Sequence, residues 1–294
     1  MWISNNWKEY ELIDVSDGER LEKWGKYTLI RPDPQVILRD AKSDTLWKKA
    51  DASYKRTRSG GGAWNENSLP EKWTISYGDL RFRIKPMGFK HTGLFPEQAT
   101  NWDWFSALIR DRVRLGREVR VLNLFAYTGG ATVAAAKAGA MVCHVDAAKG
   151  MVAAARENAA LSGLADAKIR YIVDDCKKFI ERELRRGNRY EGIIMDPPSY
   201  GRGPTGEVWK LEESIDGFVS LTAGLLSDDP LFFLLNSYTT GLSAAAMKCV
   251  TDMRIAKGRN ALCEADEIGL PVKSKGIVLP SGSSVRVSFK RRNE

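Results

Sequence analysis

Asn123-Leu-Phe-Ala-Tyr-Thr-Gly-Gly-Ala131 is the stretch that decides the fold. An apolar run over Val119–Phe125 enters it, and Thr132–Ala138 leaves it with helical spacing. A strand that feeds a helix through a turn of small residues is the building unit of a parallel sheet. Downstream the alternation repeats. Met141–Asp146 reads as strand, Met151–Leu161 as helix, Ile169–Val173 as strand, Cys176–Arg186 as helix and Gly192–Met195 as strand. Leu231–Leu235 is the next strand, Thr240–Ile255 a helix, and Gly276–Leu279 with Ser284–Phe289 a closing β-hairpin. Upstream, Trp102–Arg114 has helical spacing of its apolar residues. The expected fold class is α/β: a mostly parallel sheet with helices on both faces and a C-terminal antiparallel hairpin.

Before residue ~90 the rhythm differs. Trp2, Trp7, Trp24, Trp47, Trp64 and Trp73, six of the nine tryptophans, fall here among short runs broken by Pro, Gly and Asp. Tyr27–Ile30 and Gln35–Leu38 flank Arg31-Pro-Asp-Pro34 and read as strand, turn, strand. Trp73–Tyr77 and Leu80–Ile84 alternate across Gly78-Asp79 and read as a β-hairpin. Ser59–Gly62 reads as a flexible loop. The expected organisation is a small β-rich module over residues 1–90 and an α/β domain over 91–294.

With 43% apolar and 28% charged residues, the 294-residue chain has globular composition. It has no run near the ~20 apolar residues of a membrane span. Met1-Trp-Ile-Ser-Asn-Asn-Trp7 lacks the layout of a secretion signal. Cys143, Cys176, Cys249 and Cys263 lack CxxC spacing. That argues against a zinc site or a disulfide framework, and the expected location is the cytoplasm. The net charge of +8 is unevenly placed: residues 81–120 carry nine Lys/Arg against four Asp/Glu, and residues 271–294 six against one. Such a surface attracts a polyanion, although a merely soluble basic protein would look the same.

In open α/β sheets ligands sit beyond the carboxyl ends of the strands. The turn after the first parallel strand is not G-x-G-x-x-G, which counts against a dehydrogenase. Asp146, ending the second strand and followed by Ala147, lies about 20 residues beyond the turn, where an acid hydrogen-bonds a ribose diol. Capping of the helix that begins near Ala148 is the alternative. In Val173-Asp-Asp-Cys176 a carboxylate can accept from an adenine amino group while the next backbone N–H meets a ring nitrogen; Asp175 is preferred to Asp174, again with capping as the alternative. The fourth strand ends Met195-Asp-Pro-Pro-Ser-Tyr200. Two prolines stiffen the chain and aim carbonyls outward as acceptors, and Tyr200 can lie flat on a planar group.

Taken together, Asn123–Gly130, Val145-Asp146, Arg156-Glu-Asn158, Asp174-Asp175 and Met195-Asp-Pro-Pro198 resemble the bacterial large-subunit ribosomal RNA methyltransferases of the cytosine-C5 and guanine-N7 group. His91-Thr-Gly-Leu-Phe-Pro-Glu-Gln98 resembles the K-T-G-x-F-x-D-Q-R segment before their catalytic domain. The resemblance implies a Rossmann-like class I methyltransferase that uses S-adenosyl-L-methionine and no metal. It implies that Phe95, Gln98, Phe125, Ala126 and Thr128 enclose the methionine part of the cofactor. The candidate cofactor set adds Asn123, Tyr127, Gly129, Asp146, Ala147, Asp175, Cys176 and Asp196; the candidate acceptor set is Asp196, Pro197, Pro198 and Tyr200. Two departures matter. Ala99 stands where those proteins carry Arg, and Thr239 stands where the cytosine-C5 branch carries its cysteine nucleophile, so that mechanism is not expected.

The expected activity is therefore methylation of a base in RNA, ribosomal RNA in particular. The alternatives are a methyltransferase of a small molecule and a non-catalytic protein that binds RNA or the cofactor. The sequence leaves the oligomeric state open. Two further stretches have double readings. Trp47–Arg58 mixes aromatics with cations, as an RNA surface does, or is a solvated charged helix face. Gly201–Gly206 is a mobile loop over the acceptor with Arg202 and Lys210 near phosphates, or an ordinary glycine-rich connection. His144, on an apolar strand, reads as packed, and Lys290–Arg292 as a solvated tail.

Overall fold

The computed structural model describes residues 1–57, 61–66, 69–88, 90–202 and 208–290. Two compact units emerge: Met1–Thr100 with Gly269–Ser281, and Asn101–Ile268 with Gly282–Glu294. The first unit thus runs past the boundary at residue 90 read from the sequence, and it takes in a piece of the C-terminal chain.

The first unit holds β1 (Trp2–Ile3), β2 (Tyr10–Ser16), β3 (Glu19–Trp24), β4 (Tyr27–Pro32), the short helix α1 (Asp44–Trp47), β5 (Ala52–Arg56), β6 (Gly62–Glu66), β7 (Trp73–Tyr77) and β8 (Leu80–Ile84). β2 to β6 follow one another in sheet order, and β7 pairs with β8 as the expected hairpin. The strand expected over Gln35–Leu38 is absent. Asp33 Oδ1 instead accepts from the Gln35 N–H at 3.0 Å, and Pro32 and Pro34 flank a turn that cannot continue a ladder. The loop expected at Ser59–Gly62 lies largely outside the described residues.

The second unit is built from α2 (Ala99–Arg114), β9 (Arg120–Leu124), α3 (Gly130–Lys137), β10 (Met141–Asp146), α4 (Lys149–Leu161), β11 (Ile169–Val173), α5 (Cys176–Arg185) and β12 (Gly192–Met195). There follow β13 (Tyr200–Arg202), β14 (Val208–Lys210), α6 (Leu211–Ala223), β15 (Phe232–Ser237) and α7 (Ala244–Thr251). The long strands β16 (Ala261–Val272) and β17 (Ile277–Phe289) close the chain. The strand order is β11-β10-β9-β12-β15-β17-β16, parallel up to β15 with β17 antiparallel to it. This is the Rossmann-like arrangement that the sequence led us to expect, with the C-terminal hairpin antiparallel. β12 and β15 are buried along their whole length, as strands covered by helices on both faces must be.

Three local expectations change. The C-terminal hairpin exists, but its arms are β16 and β17. Residues read as its turn lie inside β17, where a Cβ on Gly282 would stand 2.9 Å from the Tyr238 ring. That glycine permits a close approach; it does not turn the chain. The helix expected over Thr240–Ile255 begins at Ala244, capped by the Ser243 hydroxyl, and passes into a π-turn over Asp252–Ala256. Finally, α6 had no counterpart in the sequence reading. Among the described residues no helix is long and apolar enough to cross a membrane.

Candidate functional site

β9 has β10 on one side and β12 on the other, so the order of strands reverses between β9 and β12. A crevice opens beyond the carboxyl ends at such a reversal. Four segments of the second unit reach this end: Asn123–Gly130, Asp146–Ala148, Asp174–Cys176 and Asp196–Tyr200.

The turn after β9 is forced into an unusual conformation. Phe125 (φ 55°) and Tyr127 (φ 49°) join Gly129 (φ 81°) in the left-handed region. Each non-glycine residue there costs about 1–2 kcal/mol. Asp146 holds the strained backbone: its Oδ2 accepts from the Tyr127 N–H at 2.8 Å, and its Oδ1 from the Ala148 N–H at 2.8 Å. The N-cap of α4 is Ala148, with no side-chain cap, so Asp146 pins the turn rather than capping the helix, and each of its oxygens retains a lone pair. Small size at the glycines serves packing. A Cβ on Gly129 would lie 2.7 Å from Ala155 Cβ, and one on Gly130 2.7 Å from the Trp102 ring. They bring α3 close to its neighbours.

Beneath the turn runs a buried polar strut. Asn123 Nδ2 donates to Thr132 Oγ1 at 2.9 Å, which lies 2.9 Å from His144 Nδ1. Asn158 Nδ2 donates to the Thr128 carbonyl at 2.9 Å. Burial pushes His144 down to about 4, so the ring is neutral and packed as expected. The side chain of Asn123 supports the turn from below.

At the third tip the two acids differ. Asp174 accepts from the Asp175 N–H through one oxygen at 2.9 Å and pairs with Arg182 through the other. Asp175 caps α5, its Oδ1 accepting from the Lys178 N–H at 2.9 Å, and its second oxygen has no hydrogen bond among the described residues. Cys176 Sγ accepts from the Phe125 N–H at 3.3 Å and so ties this tip to the turn. Burial pushes its thiol well above the ordinary range, which makes it a poor nucleophile.

The Asp196 N–H points at the Leu124 carbonyl, 3.4 Å away, placing this segment beside the turn. Pro197 is buried, while Pro198, Ser199 and Tyr200 are exposed, Tyr200 to 52%. Trp209 Nε1 donates to the Pro198 carbonyl at 2.7 Å, so this oxygen does not stand free as the sequence reading held. The Trp209 ring lies 5.4 Å from Phe218 and 6.0 Å from Phe125, forming an aromatic brace. Trp209 escaped the sequence reading; the one signal was a lone tryptophan soon after Tyr200. Thr239 Oγ1 donates to Ser199 Oγ at 2.8 Å. Lys210 pairs with Glu213 at 2.7 Å. Most of the Gly201–Gly206 loop and the Lys290–Arg292 tail lie outside the described residues.

Phe95 and Gln98 belong to the first unit, around a pinned Pro96 carbonyl that accepts from Ser4 Oγ at 2.8 Å and Trp7 Nε1 at 2.9 Å. Trp47–Arg58 is not one charged helix face. Trp47 and Tyr54 are buried, Trp47 donating to Asp14 Oδ2 at 2.8 Å, so neither ring is available for stacking on RNA.

A reversed strand order with a strained turn and acidic tips defines a nucleoside-binding α/β protein of Rossmann-like type. Comparison narrows the class: the description "S-adenosylmethionine-dependent methyltransferase" fits a family whose profile matches residues 50–209, and the chain belongs to that family. It is an S-adenosylmethionine-dependent methyltransferase, and S-adenosylmethionine is its cofactor. A SAM-dependent methyltransferase from Agrobacterium tumefaciens is 35% identical, with a TM-score of 0.91 over 98% of this chain and 93% of that one. A methyltransferase from Streptococcus mutans, 18% identical with a TM-score of 0.74 over 97% and 76% of the two chains, shares the fold. Ribosomal RNA large subunit methyltransferase K/L of Chromohalobacter salexigens is 35% identical over 152 residues, and that of Shewanella frigidimarina 35% over 144. These alignments cover 50% and 49% of this chain but only 19% and 18% of the relatives.

Proposed function

We propose that this enzyme methylates a nucleophilic atom, a nitrogen in the first instance, of a base in RNA, and that the RNA is ribosomal. The observation that carries this reading is the rigid Asp196–Tyr200 segment, braced by Trp209 beside the strained turn and exposing a tyrosine. The likeness to the K/L ribosomal RNA methyltransferases over about half of the chain supports the choice of RNA.

S-adenosylmethionine supplies an activated methyl group, so the protein need contribute little beyond alignment and desolvation. Asp146 holds the ribose diol with its remaining lone pairs. Asp175 is favoured for the adenine amino group because both oxygens of Asp174 are engaged, and the Cys176 N–H serves a ring nitrogen. Asn123, Phe125, Ala126, Tyr127, Thr128, Gly129 and Ala147 shape the nucleoside and methionine side, with Asn123 acting through the turn. Phe95 and Gln98 stay cofactor contacts on the resemblance alone. Asp196 and the Pro197 carbonyl hold the acceptor base, Tyr200 stacks on it, and Pro198 stiffens the segment. A cysteine-nucleophile mechanism does not fit, with Thr239 bonded to Ser199 and the Cys176 thiol buried and protonated.

The test is tritium transfer from labelled S-adenosylmethionine to bulk ribosomal RNA. Expected is a ribonuclease-sensitive signal that falls about 100- to 1000-fold in Asp196→Ala. Label found only in an extractable small molecule overturns the RNA reading, and cofactor binding without transfer to any fraction overturns catalysis.

A further inference from the structure

The strands of the second unit have a second end, opposite the tips that carry the acids. There, where β9, β10 and β11 begin, a cavity of about 440 Å³ opens. Its apolar floor includes Val142, Cys143 and Tyr190, all buried. Its rim carries four cations, Arg120, Lys168, Arg170 and Arg189, and among the described residues no carboxylate lines it.

The acids nearby sit behind the rim and anchor it. Glu183, with no exposed side-chain surface, accepts from the Tyr190 hydroxyl at 2.7 Å and Asn188 Nδ2 at 2.8 Å, and pairs with Arg186 at 3.1 Å and Arg170 at 3.8 Å. Glu191 pairs with Arg120 at 3.4 Å. Arg189 Nη1 donates to the Asn188 carbonyl at 2.9 Å, which orients the guanidinium without neutralising it. Lys168 is exposed and makes no ion pair among the described residues. Counting Glu183 and Glu191 against the four cations leaves an excess of two positive charges around an apolar floor.

Nothing in methyl transfer uses this place. Its volume suits one small ligand. An apolar floor inside a cationic rim matches a unit with a planar base and flanking phosphates. We propose that the cavity docks one nucleotide of an RNA chain, the base against the partly exposed Met141 and Ile169 and the adjoining phosphates on Lys168, Arg170 and Arg189. The inference rests on the reading of RNA as the acceptor and adds a second contact, remote from the reacting base. It gives the enzyme a means of holding a long substrate across the whole height of the sheet.

The experiment measures anisotropy of a labelled, unstructured RNA of about 12 nucleotides, a length in the range of single-strand sites, as salt is raised. Lys168→Glu/Arg189→Glu is compared with wild type and with Lys257→Glu, a charge reversal elsewhere on the second unit. A calorimetric titration with S-adenosylmethionine reports folding. Expected is binding about tenfold weaker than in the Lys257→Glu control, with the salt slope reduced by about 1.4 for two lost phosphate contacts. The milder Lys168→Ala serves if the double variant fails to bind the cofactor, with an expected slope change of about 0.7. RNA binding that matches the control, with cofactor binding intact, overturns the docking site and leaves the RNA acceptor standing. No RNA binding by wild type overturns both. Displacement by uridine monophosphate at the same concentration as the oligomer assigns the cavity to a free nucleotide and overturns the RNA-chain contact.

Discussion

Glu22 and Asp146 are both acids on β-strands, and the two units treat them in opposite ways. In the first unit Glu22 is wholly buried. Arg31 reaches it through Nε at 2.6 Å and Nη2 at 2.8 Å, the Tyr10 hydroxyl donates at 2.7 Å, and Arg20 stands 3.3 Å away. All of its partners, three hydrogen bonds and a second guanidinium, come from inside the fold. In the second unit Asp146 is half-exposed and accepts two backbone N–H groups, leaving capacity for something outside the chain. A carboxylate enclosed by internal partners is architecture, whereas a half-exposed one at a strand tip is open to a ligand. The same chemistry thus serves two ends, and burial separates them.

The largest effect should come from breaking the enclosed case. Glu22→Ala strands two buried arginines, and losing one partner of such a cluster costs about 3–5 kcal/mol. Urea unfolding should show the loss, with cofactor affinity per folded molecule unchanged. Acid gives a milder version. Burial pushes the Glu22 carboxyl up, but Arg20 and Arg31 outweigh it and hold the group below the usual carboxylate range. A depressed folded value means stability present above the ordinary pKa and lost as pH falls through the folded one, so the acid-unfolding limb should flatten in Glu22→Gln.

Breaking the half-exposed case should act on binding first. Asp146→Ala removes the ribose acceptors and frees the Tyr127 turn. The expected outcome is a 10- to 100-fold weaker titration of S-adenosylmethionine, about 1.4–2.8 kcal/mol, with a smaller loss of stability. If unfolding suffers as badly as in Glu22→Ala while affinity holds, the contrast between the two acids is wrong. Trp209→Phe is finer still. It keeps the aromatic brace and deletes one hydrogen bond to Pro198, worth about 1 kcal/mol. It should raise KM for the nucleic-acid acceptor and leave cofactor affinity alone.

The second unit was far more legible in the sequence than the first. β10, β11 and β12 were bounded to the residue because their apolar runs end in Asp or at a proline pair, signals local to the chain. The positions of the acids at the tips were legible for the same reason, since an acid at a strand end needs only strand register to be placed. Other features depend on distant partners. That Gly129 and Gly130 accommodate Ala155 and Trp102, or that Trp209 takes up the Pro198 carbonyl, follows from packing that no spacing encodes. Gly282 misled because a Pro-Ser-Gly run signals a turn unless a ring such as Tyr238 lies across it. Nor did the first unit's mixed residues announce which charges would be buried: Arg20, Glu22 and Arg31 look like surface alternation on two short strands.

Glu97 is the exception inside the first unit and gives the smallest, sharpest test. It is 2% exposed, yet its Oε2 finds no hydrogen-bond partner. Burial pushes its carboxyl above the ordinary range, and Arg20 and Arg31 recover only part of the loss. A raised folded value means that the group's stabilising contribution is complete below its ordinary pKa and disappears as pH rises through the folded one. Glu97 is therefore a buried carboxyl whose charged form the fold disfavours. Glu97→Gln removes the charge and keeps the shape, so stability at pH 7 should rise by up to about 1 kcal/mol, and the gain should vanish near pH 4, where both side chains are neutral. Denaturant midpoints at the two pH values check this. A variant less stable than wild type at pH 7 would mean that the carboxylate is held by its arginines as fully as Glu22 is. The rule would then apply to the first unit without exception.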